Sequence, residues 1–414
     1  MGDITKIEKY LEEESVILAE EMINNRLRLK KILGEKINVL FICHRPQIWN
    51  SLKTVYQAFK EDEKFDVKIL AIPNKKQLPD LDFAHDVYES EGAEEYWAYY
   101  DCICGYNYES AEWVDPRTLK PDYVFFQTAY DVTRPKKYKS WIVSKYAKIC
   151  FVTYGYQIAG GELFYKGVYN ETFLRATRYI FAFDPLHYSD ILSWLNEIHN
   201  ITSEVVLSGN PRNDLIRKRD FKPEHKMYTA LWTPRWCTDE NNCFFFEYKD
   251  KLLEYCADNS NFQLIFRPHP QAFLEWEATG ELSKDDADIY KRKYENCSNA
   301  RIDWEKDYLN TFDEVDCFIT DMTSLMAEYL LTGKPIIYCH RVDLFTEAGR
   351  KMAEGYYWVY NFEELEQTLA MLQKGEDPLK EKRIAIVEDM IYRPINGAGN
   401  RIKEIVKKDA IRED

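Results

Sequence analysis

The sequence predicts an α/β protein: two doubly wound, Rossmann-type domains facing one another, preceded by one long helix. Three observations carry this. Short apolar runs alternate with helical stretches from 37 to 361, and such alternation gives parallel sheets with right-handed crossovers. The alternation is broken once, by the polar, proline-bearing stretch IRKRDFKPEHK at 216–226, and then restarts. The length of 414 residues exceeds one ordinary domain, while 45% hydrophobic and 15% aromatic residues supply two cores. The expected divisions are an N-terminal helix at 1–36, a first Rossmann-like domain at 37–215, a second at 216–395 and a C-terminal tail near the cleft at 396–414.

Taken in order, residues 3–33 read as a helix. Ile4, Ile7, Leu11, Leu18 and Met22 recur at helical steps, a stripe suited to docking or dimerisation. Arg26, Arg28, Lys30 and Lys31 near its end also suit a peripheral membrane contact. INVLFICH (37–44) is the first strand, and PQIWNSLKTVYQAFKED follows as a helix with Pro46 in its first turn. Further strands are expected at 65–73, 122–128, 147–154, 178–184 and 204–209, with the stretch 76–120 irregular. After the polar break, strands are expected at 227–233, 262–267, 315–320, 334–340 and 355–361.

Charge narrows the function. A net charge of −15 disfavours general nucleic-acid binding, which needs a basic surface. No apolar run approaches the ~20 residues that span a bilayer, and the charged start MGDITKIEKYLEEES lacks the apolar core of a secretory signal. The ten cysteines form no C-x-x-C zinc framework and read as reduced thiols of a cytoplasmic protein. DDAD at 285–288 matches a metal-binding D-x-D pattern, but it lies in a charged, solvated helix. No metal is expected.

In doubly wound sheets, ligands bind beyond the carboxyl ends of the strands. Those positions are cationic here. SGNPRND supplies Arg212, TPRW supplies Arg235, and RPHP supplies Arg267 and His269. The prolines flanking His269 restrict its backbone. Beside a phosphate its imidazolium would donate hydrogen bonds or protonate a leaving group. The segment CFITDMTSLMAEYLLTGKPIIYC places Asp321 as a helix cap, with Thr323 and Ser324 at the helix N-terminus, where free N–H groups favour anions. Glu328, four residues beyond Ser324, is positioned to accept hydrogen bonds from a ribose diol. An exposed Glu328 on an ordinary capped helix is the plainer reading.

GNPRND (209–214), RPHP (267–270), TDMTSLMAEYLLTGKPII (320–337) and NGAGNR (396–401) together resemble the CDP-glycerol glycerophosphotransferase family, the teichoic-acid and capsule polymerase group. The resemblance covers roughly 205–401. It implies a GT-B fold and a bacterial cell-wall transferase that moves a polyol phosphate from a CDP-activated donor, with release of CMP. It implies that Thr323 and Ser324 hold phosphate, Glu328 the ribose and His269 the pyrophosphate, with Arg267 or Arg235 adding charge. Arg401 falls at a matching family position and is a donor-side candidate. The implied acceptor is a hydroxyl of a glycan or polyol-phosphate chain, lipid-linked in one version. The implied location is the cytoplasm, or its membrane face, with a homo-oligomer or complex formed through the N-terminal helix. No cofactor is required.

One departure stands out. The family carries a histidine, its candidate base, where VTYGYQIAGG (152–161) has Tyr154. An unperturbed phenol, with pKa about 10, is a weak base near neutrality. His44 in FICHRPQIW and Asp131 in TAYD are the substitutes, and Gly160-Gly161 is either a turn or a close approach for the acceptor. Two alternatives stay open. One is a nucleotide-sugar glycosyltransferase or epimerase on the same fold; the other is a non-catalytic nucleotide-binding subunit of a capsule-synthesis complex.

Overall fold

The computed structural model describes residues 2–75, 87–89, 91–156, 158, 170–217, 227–239, 241–305 and 307–411. The polar stretch 218–226 and the pair Gly160-Gly161 lie outside them. The chain divides into two compact units. The first comprises 1–154, 162–215 and 392–414, and the second comprises 155–161 and 216–391.

In the first unit the strands are β1 (Ile37–Cys43), β2 (Phe65–Ala71), β3 (Ile103–Cys104), β4 (Tyr106–Asn107), β5 (Glu112–Trp113), β6 (Tyr123–Phe126), β7 (Lys148–Val152), β8 (Thr177–Ala182) and β9 (Glu204–Leu207). Seven of them form a parallel sheet in the order β3-β2-β1-β6-β7-β8-β9, while β4 and β5 make a small antiparallel ribbon. β1, β6 and β7 are apolar along nearly their whole length because both sheet faces are covered. The strand order reverses between β1 and β6, which opens a crevice at their carboxyl ends.

The second unit has β10 (Tyr228–Thr233), β11 (Phe262–Phe266), β12 (Ala300–Ile302), β13 (Cys317–Thr320), β14 (Ile336–Cys339) and β15 (Tyr357–Val359). They pair in parallel in the order β12-β11-β10-β13-β14-β15. The reversal lies between β10 and β13. The main strands fall where the apolar runs predict them. β3, β4, β5 and β12 went unread because two or three residues are too few to show a period.

Two terminal segments are built into the first unit. The helix Gly2–Leu33 docks through Ala19, Ile23 and Leu27, which are buried, whereas Leu18 and Met22 of the expected stripe point outward, 58% and 71% exposed. The side chains of Ile4, Ile7 and Leu11 lie outside the described residues. Polar anchoring centres on Asp122, which is fully buried. Its carboxylate accepts from Arg26 Nε at 2.8 Å, Lys30 Nζ at 2.6 Å and the Asn38 N–H at 2.8 Å. The C-terminal tail expected at 396–414 includes the helix Ala398–Ile411. The Asp214 carboxylate accepts the N–H groups of Ala398 and Gly399, each at 2.9 Å, which suits the positive end of a helix. Gly399 lies so close to the helix Lys53–Lys60 that a Cβ would sit 2.5 Å from the Thr54 carbonyl oxygen. The NGAGNR motif is thus in part a packing motif.

Asp122→Ala would strand two cations and a backbone N–H. It is expected to cost about 3 kcal/mol, read as a lower urea midpoint together with faster proteolysis of the N-terminal helix. An unchanged midpoint would show that Ala19, Ile23 and Leu27 dock the helix unaided.

Candidate active site

The reversal point of the second sheet gathers three loops from the ends of β10, β11 and β13. Asp321 joins two of them. It is 1% exposed, and its carboxylate accepts the Phe244 N–H at 2.7 Å and also the Arg235 N–H. Its carbonyl accepts from Asn242 Nδ2 at 2.8 Å. Asp321 therefore ties the β13 end to the loop after β10. It does not cap the following helix as expected, because its oxygens are spent on that loop. Burial pushes its carboxyl up to about 7, against the pull of the two N–H groups and the Arg235 charge.

The tied loop presents Arg235 and Trp236. The Trp236 carbonyl accepts from Trp276 Nε1 at 2.8 Å, and the Trp236 ring stacks on His269 with centroids 5.2 Å apart and planes 19° from parallel. Arg235 lies 5.9 Å from the same indole. His269 is exposed. Its Nδ1 accepts the Gln271 N–H at 3.2 Å, so in the neutral ring Nε2 carries the proton. The rigidity of His269 thus comes from an aromatic shelf as well as from prolines. Trp236 stood beside Arg235 in the sequence and was passed over, since a tryptophan signals core as readily as a site.

Arg267 is less available than a strand-end arginine suggests. It donates to Asp303 Oδ2 at 2.7 Å and to the Glu305 carbonyl at 2.6 Å. Burial raises the Asp303 carboxyl, but the Thr311 hydroxyl, Arg267 and the Glu305 N–H outweigh it and hold the acid below its usual range. Arg267 is half of a persistent ion pair.

The segment after Asp321 turns into the short helix Leu325–Leu330, with Ser324 at its N-cap. Ser324 is exposed and Thr323 half-buried. The Ser324 side chain makes no capping bond, and Thr323 Oγ1 accepts a long bond of 3.4 Å from the Leu325 N–H. Glu328 is fully buried, not exposed, and its Oε2 accepts from the Tyr308 hydroxyl. Gly155 and Ile158 belong to this same unit. A Cβ on Gly155 would lie 3.5 Å from Ser324 Oγ, and one on Gly349 only 2.0 Å from the Ile158 carbonyl oxygen, so Gly349 is required for that approach.

The remaining candidates belong to the first unit. Arg212 is buried in the helix Pro211–Arg217. Arg401 lies on the C-terminal helix, its Nε donating to the Leu207 carbonyl at 2.7 Å. Neither is among the strand ends of the second unit. His44 is 1% exposed. Burial, then Arg45 and Arg134, push its pKa well below the usual range. Its Nε2 has no hydrogen-bond partner among the described residues. Asp131 is also committed: it accepts from Arg134 Nη2 at 2.6 Å and from the N–H and Oγ of Ser140 at 2.8 and 2.5 Å. The Tyr154 hydroxyl lies 3.2 Å from that of Tyr130. Of the three base candidates, only Tyr154 is half-buried and paired with nothing stronger than another phenol.

Asp285, Asp286 and Asp288 lie on the helix Lys284–Glu295, and the Ser283 hydroxyl donates to Asp286 at 2.7 Å. Among the described residues no group of three His, Cys, Asp or Glu side chains is placed to hold a metal ion, and no helix is long and apolar enough to cross a membrane.

Comparison with known proteins gives one family. The model of CDP-Glycerol:Poly(glycerophosphate) glycerophosphotransferase matches residues 187–406. No curated protein sequence matches. Among solved structures, the wall teichoic acid polymerase TagF aligns with a TM-score of 0.59 at 14% identity, covering 98% of each chain. A variant of it soaked with CDPG aligns at 0.56 and 14%, again over 98% of each. UDP-GlcNAc 2-epimerase from Neisseria meningitidis, bound to UDP-GlcNAc, aligns at 0.55 and 12%, over 90% of this chain and 99% of that one. At such identities these likenesses show a shared GT-B-like fold.

The raised Asp321 pKa has a defined sign. The folded carboxyl binds its proton above the unfolded value of about 3.9. Its stabilising contribution is therefore full below about pH 4 and is lost as pH rises to about 7. The difference in unfolding midpoint between wild type and Asp321→Asn is expected to shrink over that range and level off above it. A constant difference would show that the carboxyl stays ionised throughout.

Proposed function

The chain belongs to the CDP-glycerol:poly(glycerophosphate) glycerophosphotransferase family, and from that premise we propose how its second unit handles the donor. The enzyme is a transferase that takes its polyol phosphate from a CDP-activated donor. The acceptor oxygen forms a bond to the β-phosphorus, the bond from that phosphorus to the CMP oxygen breaks, and the acceptor proton passes to a base or to water. The product linkage is a phosphodiester.

The observation that carries the assignment is the Asp321 tie, which brings Arg235, Trp236 and His269 to one strand-end crevice. Ser324 and Thr323 follow Asp321 directly and offer hydroxyls to the phosphates. His269 donates to a pyrophosphate oxygen from Nε2 and stabilises the charge that collects on departing CMP. Arg235 adds a cation beside the Arg267–Asp303 pair. Glu328 takes the ribose only by exchanging its Tyr308 bond for the sugar hydroxyls. Phosphoryl transfer leaves little covalent work to the protein, so positioning and charge stabilisation dominate. Tyr154, with Tyr130, orients the acceptor hydroxyl. The acceptor is a hydroxyl of a polyol-phosphate or glycan chain of the cell surface, and the reaction runs on the cytoplasmic side, where nucleotide-activated donors are made.

CMP release from CDP-glycerol, CDP-ribitol and a UDP-sugar panel tests this reading. With a CDP-polyol, His269→Ala is expected to lose about 10²–10³ in kcat, and Tyr154→Phe about tenfold or less in kcat/KM. Full activity of His269→Ala would remove this histidine from the mechanism. Turnover of UDP-sugars alone would move the enzyme to a different reaction.

A further inference from the structure

The N-terminal helix Gly2–Leu33 carries two apolar faces, and the first unit uses only one. Ala19, Ile23 and Leu27 are buried against that unit, while Leu18, Met22, Leu29 and Ile32 point outward, with Leu29 55% and Ile32 79% exposed. At about 100° per residue the two sets lie roughly 140° apart around the helix. The docking that holds the inner set therefore leaves the outer one in water. With Leu33, also exposed, five large apolar side chains fall within residues 18–33. They form one contiguous patch, unlike singly scattered surface residues.

The spacing of the outer set points to another helix. Leu18, Met22, Asn25, Leu29 and Ile32 follow steps of four, three, four and three residues, the seam of a helix pair whose side chains interlock. Asn25, exposed at the seam's centre, is its single polar break, of the kind that fixes register in paired helices. Glu21, exposed, borders the seam, and an anionic lipid surface would repel it.

Charge points to the orientation. Residues 12–21 carry five glutamates and no cation, and residues 26–31 carry four cations and no acid. A second copy of this helix, run antiparallel, sets each acidic block along a basic one; run parallel, it sets like along like. Arg26 and Lys30 are held by Asp122, Glu13 by Arg175 and Glu20 by Arg178, and Arg28 and Lys31 have contacts of their own. The charge blocks thus select direction, while the apolar seam supplies the affinity. We propose that two copies of this chain form a two-fold symmetric dimer, with their N-terminal helices antiparallel along Leu18, Met22, Asn25, Leu29 and Ile32. The register closes on itself: Met22 faces Asn25 of the second copy, Leu18 faces its Leu29, and the two-fold axis repeats both contacts. The seam is short, about 21 Å, so the dimer dissociates in the micromolar range.

Sedimentation velocity of the full chain from about 0.5 to 50 µM is expected to show a monomer–dimer equilibrium. Leu18→Glu/Leu29→Glu alters exposed positions only. It should raise the dimer Kd at least about a hundredfold with unchanged circular dichroism, and Asn25→Leu, which fills the polar break, should lower Kd severalfold. A photo-crosslinker, p-benzoylphenylalanine in place of Ile32, should capture the chain near Ser15. Those positions are about 25 Å apart within one helix, so that crosslink reports the second copy. Capture near Ile32 of the second copy overturns the antiparallel arrangement. A dimer that survives Leu18→Glu/Leu29→Glu places the interface elsewhere and overturns the proposal. So does a chain that is monomeric throughout; if it binds phosphatidylglycerol vesicles and the double variant does not, the outer face is a membrane contact instead.

Discussion

The second unit is organised around one buried carboxylate. Asp321 accepts two backbone N–H groups from the loop after β10, and its own carbonyl holds Asn242. Without that tie, two buried donors would go unsatisfied, each costing roughly 1–3 kcal/mol. The loop would then have no fixed path from Arg235 to Phe244. The first unit solves the same problem with a neutral group. At its own reversal point Gln127, just beyond β6, accepts the N–H groups of His44 and Arg45 at 2.8 and 2.9 Å and donates to the Arg45 carbonyl at 3.0 Å. In both sheets a side chain from the strand across the reversal pins the backbone that leaves the first strand. The Arg235 charge in turn pulls against the burial that raises the Asp321 carboxyl.

The charge of the donor crevice is accordingly sparse. Arg267, the most conspicuous cation in the sequence, is neutralised by Asp303, whose other oxygen and hydroxyl partners are already fixed. Arg235, the imidazole stacked on Trp236 and the hydroxyls of Thr323 and Ser324 stand at the neighbouring strand ends. Such a site gains selectivity from geometry: a diphosphate must fit the loop that Asp321 has set.

The proton acceptor illustrates how burial overrides chemical type. Histidine is the better base in solution, yet His44 is enclosed and held neutral. Asp131 is committed to structure, since Arg134 and Ser140 consume its oxygens. The phenol of Tyr154 keeps its access. For a reaction whose transition state asks more for positioning than for early proton removal, the role proposed for Tyr154 is to orient the acceptor.

The sequence by itself determined the two parallel sheets, their main strands, and the strand-end loops proposed to carry the chemistry. Apolar runs, the polar break and the RPHP and TDMTS motifs are local signals, and each is complete within a few residues. Tertiary structure decided which of those residues are available. The burial of His44 and Glu328, the pairing of Arg267 with Asp303, and the diversion of Asp321 from helix cap to loop tie all depend on partners tens of residues away. The same holds for the terminal segments. Asp214 and Gly399 are 185 positions apart yet meet through a hydrogen bond, so the last residues join the first unit. A residue type states what a side chain can do; solvent exposure and competing hydrogen bonds, set only by the folded chain, decide whether it is left to do it.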